Sequence, residues 1–244
     1  MIYVTGDTHG DLSRFGLWRT RKLRRGDTLI VLGDFGFLWQ GGEAEEKILR
    51  RLGRRRYRIL FLDGAHENFQ LLNQYPTQQW NGGLVRPISG KLMHLCRGQI
   101  FSIEGKRIFV MGGGESDEKE YRARQEKWFE QELPSPAELE TARSNLAAAG
   151  GRVDYVLTHD CSSRLKVFLG IGSESHPLGQ FLTEQEKNLQ FQKWFFASIH
   201  LDKPIPPRHQ AVYQQILPLI QLLPFAQKRR SFHREKSAFF HILF

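Results

Sequence analysis

The chain opens Ile2-Tyr3-Val4-Thr5-Gly6-Asp7-Thr8-His9-Gly10-Asp11, and this stretch passes from a strand to a loop carrying chemically useful side chains. Ile2, Tyr3 and Val4 are β-branched or aromatic, as a buried strand requires, and Gly6 then permits a tight turn. Asp7 and His9 follow at once. The same join recurs further along. Leu29-Ile30-Val31-Leu32 runs into Gly33-Asp34-Phe35-Gly36. Ile59 to Leu62 leads to Gly64-Ala65-His66-Glu67-Asn68. Tyr155-Val156-Leu157 is followed by Thr158-His159-Asp160, and Trp194-Phe195-Phe196 by Ala197-Ser198-Ile199-His200. In a layered α/β sheet the loops leaving the carboxyl ends of neighbouring strands converge on one crevice.

Short apolar runs alternating with longer amphipathic stretches predict an α/β fold. A sixth run, Ile108 to Met111, closes a hairpin over Gln99–Met111 that turns at Glu104-Gly105-Lys106. Ser135-Pro136-Ala137-Glu138 reads as a capping box with proline at the first helical position. Its helix carries Leu139, Ala142 and Leu146 on one face and stops at Gly150-Gly151. Thr183 to Glu186 reads as a second capping box before a shorter helix. No repeat or long linker divides the chain, so one domain is expected over residues 1–223. The tail, 224–244, is basic and then aromatic, ending Phe239-Phe240-His241-Ile242-Leu243-Phe244. It reads either as a terminal element packed on the core or as an arm that holds a polyanion.

The formal net charge is +9, which suits a phosphate-bearing partner without selecting one: nucleic acid is a possible partner. Two runs concentrate that charge. Leu49–Arg58 holds six arginines directly after Glu43, Glu45 and Glu46, the charge order that suits a helix dipole, and Arg21–Arg25 lies between the first two strands. Each reads as a solvated helix or loop face or as a nucleic-acid patch. Only two cysteines, Cys96 and Cys161, are present, too few for a disulfide framework. The strand-like start has no secretory leader pattern and no stretch approaches membrane-spanning length, so a cytoplasmic protein is expected.

One Asp-x-His after a strand is usually a capped loop, and one loop histidine is usually only hydrogen-bonded. Five strand ends in register, using four of the nine histidines, are a different matter. A carboxylate and imidazole set without thiolate suits Mn, Fe, Zn, Ni or Co. A carboxylate between two such ions can bridge them, and the pair can hold a hydroxide in line with phosphorus.

The order Gly6-Asp7-Thr8-His9-Gly10, Gly33-Asp34-Phe35-Gly36, Gly64-Ala65-His66-Glu67, Thr158-His159-Asp160, Ser198-Ile199-His200 resembles that of the calcineurin-like metallophosphoesterases, most of all their small bacterial and phage members. Arg97-Gly98-Gln99, Gly112-Gly113-Gly114, Tyr121-Arg122, the helix start at Pro134 and Lys193-Trp194-Phe195-Phe196 add to the likeness, which covers roughly residues 1–220. The resemblance implies a single-domain, four-layer α/β/β/α sandwich. It implies a first divalent metal on Asp7, His9, Asp34 and His200, and a second on Asp34 and His159, with Asp34 as the bridge. His66 falls on the family's acid, which protonates the leaving oxygen, and Arg97 and Arg122 are candidates to clamp the substrate phosphate. Arg97 could equally support a loop.

Two further second-metal ligands of the pattern are absent. Ala65 stands where the family has asparagine and Ser198 where it has histidine; Ala197 and Ile199 also depart from it. The resemblance therefore implies one tight metal and a weakened second site unless Ser198, Asp160 or Cys161 is recruited. The implied activity is metal-dependent hydrolysis of a phosphate mono- or diester by a metal-bound hydroxide. The alternative is an inactive relative that keeps the scaffold as a nucleic-acid- or protein-binding module.

Overall fold

The structure, a computed structural model, describes residues 1–116, 119–124, 128–172 and 176–220. The basic and aromatic tail therefore lies outside the described residues, as does the expected boundary at residue 223.

Each apolar run forms a strand because its side chains divide between two dry faces. In β1 (Ile2–Thr5), β2 (Thr28–Val31) and β3 (Arg58–Phe61), Val4, Ile30 and Leu60 point one way while Tyr3, Leu29 and Ile59 point the other. This period of two explains runs that are apolar throughout: both faces of the sheet are covered. β4 (Gln78–Trp80), β5 (Gly83–Ser89) and β6 (Leu92–Leu95) extend the same sheet. β7 (Ile100–Ile103) and β8 (Lys106–Met111) make the expected hairpin. β9 (Tyr155–Thr158), β10 (Lys193–Phe196), β11 (Lys203–Ile205) and β12 (His209–Ala211) complete a second sheet, while β13 (Leu217–Pro218) returns to the first.

The seven-stranded sheet runs β13-β1-β2-β3-β6-β5-β4 and the six-stranded sheet β11-β12-β10-β9-β8-β7. Their centres are parallel, with β1, β2, β3 and β6 in one and β12, β10, β9 and β8 in the other. The two sheets face each other across one core, in which Val4, Ile30 and Leu60 meet Val110, Leu157 and Phe195. The outer face of the first sheet packs Leu49 and Leu52 of a helix at Glu43–Gly53. The outer face of the second packs Leu139, Ala142 and Leu146 of Pro136–Ala148 and Phe181 of Pro177–Asn188. The result is a single α/β domain with the expected α/β/β/α layering.

The helix at Pro136–Ala148 begins with the predicted capping box: Ser135 accepts from the Glu138 amide and Glu138 from the Ser135 amide. Gly150 and Gly151 follow it with φ of 69° and 65°. The second expected cap is overturned. Thr183 lies inside the Pro177–Asn188 helix, which starts at His176, whose Nδ1 accepts from the Gly179 amide at 3.2 Å. Thr183 instead bonds back to the Gly179 carbonyl at 2.8 Å. A short helix at Lys119–Arg124 carries Arg122, which is buried. The six-arginine run ends the Glu43–Gly53 helix, whose first turn holds Glu43, Glu45 and Glu46, as the dipole argument requires.

Candidate metal centre

Parallel register brings the strand ends level. Thr5 pairs with Val31 and Val31 with Phe61, so the loops of Asp7, Asp34 and His66 leave the first sheet side by side. Leu157 pairs with Phe195, which sets the loops of His159 and His200 beside one another on the second sheet. The first two loops are stitched together by main chain. The amides of Thr8 and His9 both donate to the Asp34 carbonyl, at 3.1 and 2.8 Å, and the Gly10 amide donates to the Phe35 carbonyl. Gly33 has φ of 117°, and a Cβ there would overlap the His159 ring. A Cβ at Gly64 would overlap the Asp34 carboxylate. At both positions close approach requires glycine, and at Gly33 the positive φ requires it as well.

The side chains on these loops meet. His200 Nε2 lies 2.9 Å from Asp7 Oδ2 and His159 Nδ1 3.4 Å from Asp7 Oδ1. His9 Nε2 is 3.3 Å from His200 Nε2. Asp34 is reached by His66 Nδ1 at 2.8 Å, by His159 Nε2 at 3.8 Å and by His9 Nε2 at 3.9 Å. Two overlapping sets, Asp7 with His9 and His200, and His9 with Asp34 and His66, each bring ligand atoms within 4.8 Å of one another.

The donor chemistry fits a divalent cation. Asp7 is fully buried, yet neither carboxylate oxygen receives a well-aligned hydrogen bond, an arrangement that is costly without a cation. His9, Asp34 and His200 adopt φ of 44°, 44° and 51°. They are three of the five non-glycine residues with positive φ among the described residues, and strain of this kind concentrates at functional sites. Burial pushes His9 below its usual range, outweighing Asp34 and Asp7, and so favours its neutral, ligand form. Burial opposes charge on His159 too, but Asp34 and Asp7 prevail and push it up to about 10. The neighbouring Asp7 carboxylate, working against burial, raises His200. Burial would raise Asp34; the charge of His159 and the bonds from His66 hold it well below the usual carboxylate range. A negative pocket that collects protons on imidazoles is one a cation would enter.

The missing ligands are missing in space as well. Ala65 is buried beside Gly114, which itself adjoins the His159 ring. Ser198 Oγ donates to Asp160 Oδ1 at 2.9 Å, and Asp160 is further held by Lys166 at 2.7 Å and the Cys161 amide at 2.8 Å. Cys161 sits among Leu165, Phe196 and Ile205, where burial pushes its thiol far up. All three candidate replacements are committed to other environments.

Arg97 and Arg122 do not open onto the cleft with free forks. Arg97 is 7% exposed; its Nε donates to Asp63 Oδ2 at 2.7 Å and its Nη2 to the Gln131 carbonyl at 2.6 Å. Arg122 pairs with Glu132 at 2.6 Å and donates to the Ala65 carbonyl at 3.1 Å. Arg97 thus bonds the loop at Gln131, and Arg122 bonds the carbonyl that precedes His66. Sequence reasoning passed over the residues that hold the site. Arg14 is buried and donates to the carbonyls of Asp7 and Tyr213, and the Tyr213 ring lies 4.9 Å from that of His200. Glu67 accepts from the Phe35 amide at 2.7 Å, and Asp63 accepts from His94 at 2.9 Å. Asp63 and Glu67 flank His66 closely in sequence, which was the available signal; nothing near Arg14 marks it.

A comparison with curated protein sequences found no match. A family model, the calcineurin-like phosphoesterase model, matches residues 1–197, ending three residues before His200. That match spans most of the chain and contains the strand-end loops of Asp7, Asp34, His66 and His159. The chain belongs to the calcineurin-like phosphoesterase family, whose members are metal-dependent hydrolases of phosphate esters.

Proposed function

We propose that this cleft hydrolyses a phosphate mono- or diester with one tightly held divalent ion on Asp7, His9, Asp34 and His200. The observation that carries this reading is Asp7, whose fully buried oxygens receive no well-aligned hydrogen bond and face two imidazoles, His159 at 3.4 Å and His200 at 2.9 Å. When bound, the ion supplies a Lewis acid for the phosphoryl oxygens and activates the attacking water. The chain's own residues do the rest. Asp34 holds His66 by Nδ1 and so aims Nε2 outward, from a side chain that is 37% exposed. As water adds to phosphorus and the ester P–O bond breaks, His66 delivers its proton to the departing oxygen. A second ion is held only by Asp34 and His159 and binds weakly, because Ala65 offers no donor and Ser198 is engaged by Asp160.

The test combines metal analysis of the purified protein with turnover of aryl phosphate mono- and diesters by it and by His66→Ala. One ion per chain is expected, with a variant that keeps its metal and loses about 10²- to 10⁴-fold in rate. Parallel loss of metal and rate would make His66 a ligand, a reading compatible with its place beside His9 and Asp34. Absence of turnover with the ion bound would leave an inactive scaffold.

A further inference from the structure

The two basic runs are separated in sequence but not in the fold. β2 and β3 pair from Thr28↔Arg58 onward, so the segments preceding them arrive side by side. Arg56 Nη2 donates to the Arg21 carbonyl at 3.1 Å across that join. Arg21, Lys22, Arg24 and Arg25 are exposed on one segment, and Arg54 and Arg56 on the other. No aspartate or glutamate occurs between residues 12 and 26 or between 47 and 62. A solvated face normally interleaves its charges; this one does not.

An aromatic platform stands on the same surface. Trp18 is 75% exposed, beside Leu17 at 81%, a placement that folding does not require of the largest apolar side chain. The Arg21 guanidinium lies 4.0 Å from the Trp18 ring centroid, over one face. Trp18, Arg21 and Lys22 line an open groove of about 340 Å³ whose other wall is Gln214 to Leu217. Lys22 reaches the Ile216 carbonyl at 3.5 Å and Arg19 the Gln214 carbonyl at 3.4 Å. That wall is the chain leading from Tyr213, which packs on His200, into β13.

We infer that this groove binds single-stranded nucleic acid, with a base stacked on Trp18 and the phosphates tracked by Arg21, Lys22 and Arg56. Charge alone would suit any polyanion. The exposed indole adds what a nucleic-acid base recognises, since every base has a face to stack and an acidic peptide or an inorganic polyanion has none. A duplex hides those faces, so the single strand is the form that fits. This inference concerns binding and stands whether or not the metal centre turns over.

The test uses the full chain with EDTA present, so that no strand is cut, and fluorescent 12-nucleotide oligo(U) and oligo(dT) as probes. Trp18→Ala should weaken binding of one or both by at least about fivefold while leaving affinity for linear polyphosphate unchanged. Arg21→Ala, Lys22→Ala and Arg56→Ala combined should lower the slope of log affinity against log salt by about 2, near 0.7 per lost phosphate contact. Which oligonucleotide loses more identifies RNA or DNA as the preferred strand. Equal oligonucleotide affinity in wild type and Trp18→Ala would overturn the inference, because the tail's cations would then carry the binding. So would equal weakening of polyphosphate, which would make the groove a general anion site. Trp18 is exposed, so its replacement does not endanger the fold.

Discussion

Asp7, His9 and Asp34 were legible because they stand one turn beyond runs that can only be strands, and His159 and His200 repeat the pattern. Ala65 and Ser198, where the sequence departs from the ligand set that the resemblance implies, carry a prediction about stoichiometry. Ala65→Asn together with Ser198→His should raise metal content from about one ion per chain towards two, each ligand contributing at least the roughly 10- to 100-fold in affinity that supporting contacts supply. Metal analysis at fixed free ion concentration would read it, and unchanged content would mean that Asp160, released from Ser198, occupies the space. Arg97 was ambiguous for a physical reason: a planar fork that suits phosphate also suits a buried carboxylate, and only the fold shows which is near. Burial alone would raise Asp63, but the Arg97 charge and the His94 bond hold it well below its ordinary 3.8. A carboxyl depressed on folding stabilises the protein above its unfolded pKa, and that contribution fades as pH drops below about 4. Arg97→Met should cost roughly 3–5 kcal/mol at pH 7 by stranding Asp63. The penalty should shrink in acid, where the stranded carboxyl can take a proton; denaturant melts at pH 7 and at acid pH would show a constant penalty if Asp63 were not the cause.

At the scale of elements, the central strands read well because burial on both faces leaves an unbroken apolar run. β4 did not, since Gln78-Gln79-Trp80 is an edge strand with exposed glutamines. β5 contains Pro87, which reads as a breaker but sits at an irregularity in its register with β6. The misplaced cap has a similar origin. Histidine is not a preferred cap, so His176 hid a start that Pro177 at the first helical position did signal, while Thr183 and Glu186 imitated a box from inside the helix. Loop shape makes its own demand. Gly33→Ala would meet both φ of 117° and the His159 ring, so bound metal should fall severalfold while circular dichroism shows the sheets intact. An alanine variant with full metal content would show that the two loops are free to part.

For the whole molecule, the described residues already close both sheets and their shared core, and Leu219 is buried within it beside Ile2. No helix among them is long and apolar enough to cross a membrane. Ending the chain after Ile220 should therefore preserve metal content and shift the melting temperature by only a few degrees. An insoluble product would instead assign the aromatic end to the core, the plainer of the two readings its sequence allows. The division of ligands between the sheets has one more consequence. Asp7, His9 and Asp34 belong to one sheet and His159 and His200 to the other, so the cleft straddles the seam of the sandwich. A reacting group displaced by an ångström can lose about 10²-fold in rate, a shift too small to unpair the strands. On slow heating, turnover should consequently fade several degrees before the ellipticity of the strands, and recover on cooling from that interval without any refolding step.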